Sequence, residues 1–308
     1  MSSLSIGIPN ALMGCRYMTL WTTFFRELGV STVIGGPTSR RTVEEGSALA
    51  VDEACLSLKI FLGQVKALLG TCDYIFVPRI SSFGQYREMC VRFDALFDLT
   101  RTAFADTGQK FLAYDLDVRK GQREEPAFLD LGRRLGFASK AVKKAYVAAK
   151  RAEQQALKHT VRAQEQALRC DGLKILLVSH SYIIADPYMG QPILELLKGM
   201  GAIPIRADIV DREAALRRSR ELSPTCKWEL NRELLGGIAM YRNQADGIIL
   251  ISAFPCGADA MVNELLMRRL VGIPILNLVL DDQSGIAGIE TRLESFVDII
   301  RFKKGDAS

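Results

Sequence analysis

Short unbroken runs of aliphatic residues alternate along this chain with longer stretches in which apolar positions recur at helical spacing. Residues 4–8 (LSIGI) and 31–36 (STVIGG) have the composition of strands, the second stopping at a glycine pair. Between them, residues 18–28 (MTLWTTFFREL) have helical spacing and stop at Gly29. Residues 42–69 read as helical with a break near Cys55. Residues 73–78 (DYIFVP) form a continuous apolar run of the kind buried in a parallel sheet. A polar loop (RISSFGQYREMC) follows, and QKFLAYDLDV gives a further strand. The second half repeats this grammar with LKILLVS, AIPIRADIV, DGIILIS and IPILNLVL, separated by helical stretches. Strands that alternate with helices of ten or more residues imply parallel βαβ units. The expected fold is therefore α/β, with two doubly wound, Rossmann- or flavodoxin-like parallel-sheet domains. Residues 1–140 would form the first, and residues 141–308 a helical linker, at about 139–169, with the second.

Composition narrows the class. A chain of 308 residues, 48% hydrophobic and 24% charged, has enough apolar material for two ordinary cores. No apolar run reaches the length of a membrane span, so no membrane partner is expected. The first residues, MSSLSIGIPNALMG, lack the basic and apolar regions of an export signal, which gives a cytoplasmic reading. Much of the positive charge behind the net +5 lies in residues 133–169. One tyrosine and no DNA-binding motif accompany it, so a solvated helix face is expected rather than a nucleic-acid surface. No GxxxxGK[ST] loop occurs, so a P-loop ATPase is not expected, and no GxGxxG fingerprint follows a strand.

Seven cysteines stand at positions 15, 55, 72, 90, 170, 226 and 256. In a reducing compartment a disulfide framework is not expected. In open parallel sheets ligands bind beyond the C-terminal ends of the strands, which singles out some of the seven. Cys256 directly follows DGIILIS, between Pro255 and Gly257, where a helix is about to start. A thiolate there faces the positive end of the helix, which suits a metal ligand. Cys90 lies beyond DYIFVP, and Cys55 lies in or at the start of the helix before that same strand. No CxxC pair encodes a zinc ribbon or ferredoxin-type cluster locally. By spacing alone, inert buried thiols and a metal site both remain open. His180 and Asp186 follow LKILLVS, and His180 can act as an acid or a hydrogen-bond donor. Asp281 and Asp282 end the last strand, and Arg292 suits either a carboxylate or a phosphate.

Several segments together resemble the 2-hydroxyacyl-CoA (2-hydroxyglutaryl-CoA) dehydratase family and its stand-alone acyl-CoA dehydratase activase-related, or CoA protein activase, members. They are DEACLSLKIFLGQV with Cys55, DYIFVPRI followed by EMC at Cys90, and SAFPCGADAMVNELLMRR with Cys256. LDDQSGIAGIETRLESFVD, IGIPNAL and VSHSYIIADPYMGQPILELL add to the match. The resemblance implies that Cys55, Cys90 and Cys256 hold one [4Fe–4S] cluster in an interdomain cleft, with His180 as a catalytic side chain. It implies an ATP-hydrolysing activator protein as electron donor, an acyl-CoA substrate, radical dehydration or a related reduction, and pairing with a second copy or a related subunit. The pattern also departs from the family: Val91 stands where relatives carry Pro, and Gln64 where a His is expected. These departures keep two alternatives open. One is an electron-relay or double-cubane reductase component, the other a non-redox α/β scaffold with vestigial cysteines.

Overall fold

A computed structural model describes residues 4–282 and 286–305 of the chain. It divides into two units, Met1–Ala156 with Lys227–Glu229, and Leu157–Cys226 with Leu230–Ser308. The expected α/β class holds in both.

The first unit begins with β1 (Ser5–Ile8), α1 (Met13–Glu27), β2 (Ser31–Ile34), α2 (Arg40–Ser47), α3 (Leu56–Leu68) and β3 (Tyr74–Phe76). It continues with β4 (Arg79–Gly84), β5 (Arg87–Glu88), α4 (Val91–Asp94), α5 (Leu96–Ala103), β6 (Lys110–Leu112), β7 (Asp115–Asp117) and α6 (Glu124–Arg134). Its main sheet is parallel, in the order β2-β1-β3-β6. Trp21, Phe24 and Phe25 of α1 are buried against it. Their rings meet those of Phe76 and Phe128 at centroid distances of 4.8–5.4 Å, edge to face, as aromatic quadrupoles prefer. Helices α2 and α3 cross at two glycines: a Cβ on Gly46 would lie 1.7 Å from the Lys59 carbonyl oxygen, and one on Gly63 2.0 Å from that of Thr42.

Two segments differ from the sequence reading. RISSFGQYREMC is a hairpin rather than a loop: β4 pairs with β5, and the turn places Tyr86 at φ 56°. QKFLAYDLDV is two strands rather than one. KFL joins β3 as β6, while the alternating DLD pairs with β4 as β7 in a second, three-stranded sheet, β5-β4-β7. The continuous apolar piece enters the buried sheet, and the half-polar piece enters the small one.

Helix α7 (Ser139–Arg169) matches the expected linker and passes the division at Ala156. The second unit then holds β8 (Leu173–Val178), α8 (Ser181–Ile184), α9 (Gln191–Gly199), β9 (Ala202–Arg206), α10 (Arg212–Arg218) and α11 (Glu229–Tyr241). It ends with β10 (Gly247–Ala253), α12 (Gly257–Arg269), β11 (Ile275–Leu280) and α13 (Ile286–Lys304). The parallel sheet runs β11-β10-β8-β9. Every residue of β10 is buried, as expected for a central strand covered on both faces. Gly247 admits α13: a Cβ there would lie 2.4 Å from Ile300 and 3.0 Å from Phe296. Strand order reverses between β8 and β10, which makes their C-terminal ends the switch point of this sheet.

Candidate functional site

At that switch point the residue after β8 is Ser179, followed by His180, and the residues after β10 lead to Cys256. Cys256 is the N-cap of the 13-residue α12, in extended backbone conformation. His180 is the N-cap of the short α8. Between them lies Asp259, in the first turn of α12 and 4% exposed. His180 Nε2 is 2.8 Å from Asp259 Oδ1, and Asn231 Nδ2 of α11 donates to the same oxygen at 2.8 Å. The Cys256 thiol is hydrogen-bonded to this carboxylate as well. Burial pushes the Asp259 carboxyl up, but His180, Asn231 and Cys256 together outweigh it and hold the group below its ordinary range. Tyr182 stacks on the His180 ring, with centroids 5.1 Å apart and planes at 20°.

In the first unit Cys55, in extended conformation, is the N-cap of α3, and Cys90, at φ −59° and ψ 144°, is the N-cap of α4. Helix α3 is antiparallel to the strand it feeds, so its N-terminus lies at the C-terminal side of the sheet. The two cysteine loops are tied together: Arg92, two residues after Cys90, donates to the Glu53 carbonyl, two residues before Cys55, at 3.3 Å. The Ser81 hydroxyl of β4 donates to Asp94 and anchors α4 to the small sheet.

All three expected ligands are thus half-buried helix N-caps. The remaining cysteines stand elsewhere. The thiols of Cys15, Cys72 and Cys170 lean on backbone carbonyls four or five residues earlier, at 3.8, 3.8 and 3.5 Å, as small hydrophobes with a weak donor do. Burial pushes the Cys72 thiol up. Among the described residues no disulfide forms, and no group of three or more His, Cys, Asp or Glu is gathered in the manner of a metal site.

Asp186 accepts the backbone N–H groups of Tyr188 and Met189, a local turn role. Arg292 donates to the Asn277 carbonyl of the edge strand β11 at 2.6 Å, rather than to a carboxylate. Asp281 and Asp282 follow β11 half-buried, and residues 283–285 of the acidic turn lie outside the described residues. A cavity of about 500 Å³ among Arg242, Asp246, Arg269 and Ile273 lies at the opposite, N-terminal ends of β10 and β11, away from these groups. Asp259 and Asn231 are the polar residues that sequence reasoning missed. The available signal was an acid three residues after a cysteine at a helix start. No described helix is long and apolar enough to cross a membrane.

Residues 5–210 match the family model described as CoA enzyme activase uncharacterised domain (DUF2229). No curated protein matches the chain. Two solved structures are similar in part. The structure of the SBP FpvC from Pseudomonas aeruginosa in complex with Mn2+ is 12% identical, with 99% of this chain and 100% of that one covered and a TM-score of 0.30. The crystal structure of ZnuA is 10% identical, with 97% and 99% covered and a TM-score of 0.26. At such scores neither bears on fold or ligand.

Proposed function

The chain belongs to the family of the CoA enzyme activase uncharacterised domain, and from that membership we propose that it acts in CoA-enzyme activation as an iron–sulfur protein. In this reading Cys55, Cys90 and Cys256 hold a [4Fe–4S] cluster. The observation that carries it is the shared position of the three thiols: each caps a helix start. Backbone N–H groups left over in the first turn, and the helix dipole, favour a thiolate there. The effect is fullest at the 13-residue α3 and α12 and smaller at the single turn of α4.

A cubane held by three thiolates supplies one-electron transfer and an iron with an open coordination position. The chain's own residues supply placement. Asp259 fixes the Cys256 thiol and the His180 ring through one carboxylate, and the Arg92–Glu53 bond keeps the Cys55 and Cys90 loops together. Without a phosphate-binding loop in the sequence, the low-potential electron is assigned to an ATP-hydrolysing activator partner, with an acyl-CoA as the substrate class. A second reading, an α/β scaffold with incidental cysteines, draws on the lack of a gathered metal-ligand group among the described residues.

Anaerobic iron and sulfide quantitation with EPR decides between them. The proposal expects about four irons and four sulfides per chain after reconstitution. Cys55→Ser, Cys90→Ser and Cys256→Ser should each lose most of the iron, while Cys15→Ser and Cys170→Ser keep it. A stably folded chain that takes up no iron would leave the scaffold reading standing.

A further inference from the structure

The hydrogen bonds around Asp259 determine more than the position of His180. An amide N–H can only donate, so the bond from Asn231 Nδ2 makes Asp259 Oδ1 an acceptor. His180 Nε2 lies 2.8 Å from that same oxygen and must therefore carry a hydrogen. In the neutral imidazole this leaves the lone pair on Nδ1. Among the described residues Nδ1 has no hydrogen-bond partner, and it is not one of the fully enclosed unpaired polar atoms, although the ring as a whole is 5% exposed. Tyr182 holds the plane of the ring.

We infer that Asp259 and Asn231 are positioning residues that lock His180 as the Nε2–H tautomer, leaving Nδ1 to accept a hydrogen bond from a ligand that carries an O–H or N–H donor. The sequence reading left His180 as an acid or a hydrogen-bond donor; in this inference Nδ1 accepts. The tautomer follows from the three side chains alone. Only the identification of the donor as a hydroxyl on an acyl-CoA rests on the proposed function.

The chain has two histidines, His159 and His180, so His159→Gln leaves a single imidazole to observe. Nitrogen-15 NMR of that full-length, iron-free variant at about pH 8, where a free imidazole is neutral, should show a protonated Nε2 and an unprotonated Nδ1. Asp259→Ala, or the bulkier Asp259→Leu should the first fail to fold, removes the acceptor and should replace this with an averaged mixture of both tautomers. A wild-type ring found as Nδ1–H, or already averaged, overturns the inference. Lactoyl-CoA should move the Nδ1 resonance, and propionyl-CoA, which lacks the hydroxyl, should leave it; equal responses to the two overturn the acceptor role. Because the tautomer is read without iron, a chain that binds no cluster but shows Nε2–H sinks the proposed function and keeps this inference.

Discussion

The two units place their cysteines by one rule and support them by different means. In the second unit Cys256 is bonded to a buried carboxylate that also holds His180 and Asn231, each 4–5% exposed. In the first unit exposed apolar residues lie four positions before Cys55 (Val51, 62%) and directly after Cys90 (Val91, 71%), and a surface hydrogen bond from Arg92 joins their loops. The position of Cys256 is therefore built into the core of its unit. The position of Cys55 is inherited from helix packing at Gly46 and Gly63, on either side of its loop. Buried charge resists change at its own site, whereas a packing-set loop responds to changes elsewhere.

The largest effect should come from Asp259→Ala. It strands the His180 and Asn231 donors in a buried site, at a cost of about 3–5 kcal/mol. Trp21 is buried in the first unit, so in a Trp228→Phe background its fluorescence reports on that unit. Circular dichroism should show an early loss of structure in urea while the fluorescence transition stays in place. Coincident shifts in both signals would mean that the two units do not unfold separately.

Acid should act on the same site with a definite sign. The Asp259 carboxyl is held below its ordinary value of 3.8 in the folded chain. A group depressed in this way contributes stability that is complete above 3.8 and is lost as pH falls below it. The urea midpoint read by circular dichroism should therefore drop as the pH falls below about 4. Asp259→Asn should remove that dependence; an unchanged acid limb would assign it to other carboxylates.

Gly46→Ala tests the other kind of support. Its Cβ would meet the Lys59 carbonyl oxygen at 1.7 Å, and backbone cannot yield as a flexible side chain does. Overpacking of about 1–3 kcal/mol is expected. The fluorescence transition should move and, under the proposed function, iron content should fall although no ligand has changed. A variant as stable as the wild type would show that α2 and α3 separate without strain.

What the sequence made legible, and what it hid, follows the same contrast. The strand runs, the α7 segment and the cysteines at helix starts are local signals, each contained in about ten residues. Asp259 and Asn231 were hidden because their roles depend on partners 79 and 28 positions away. In isolation Asp259 reads as an ordinary acid in a first helical turn. The β4–β5 hairpin was hidden because its turn puts Tyr86 at positive φ two residues after Gly84, in place of an Asn-Gly or Asp-Gly pair. QKFLAYDLDV read as one strand because nothing inside it marks Ala113 and Tyr114 as the passage from one sheet to another.

The smallest effect separates stability from placement. Arg92→Ala removes one solvent-facing bond to the Glu53 carbonyl, at 3.3 Å, and should change unfolding stability by no more than about 0.5 kcal/mol. The bond nonetheless spans the two cysteine loops of the first unit. Alkylation by iodoacetamide, resolved by mass spectrometry for each cysteine, should accelerate modestly at Cys55 and Cys90 and stay unchanged at Cys256. Unaltered rates at all three would mean that the loops hold their places without Arg92. Faster labelling at Cys256 as well would contradict the separate support argued for the two units.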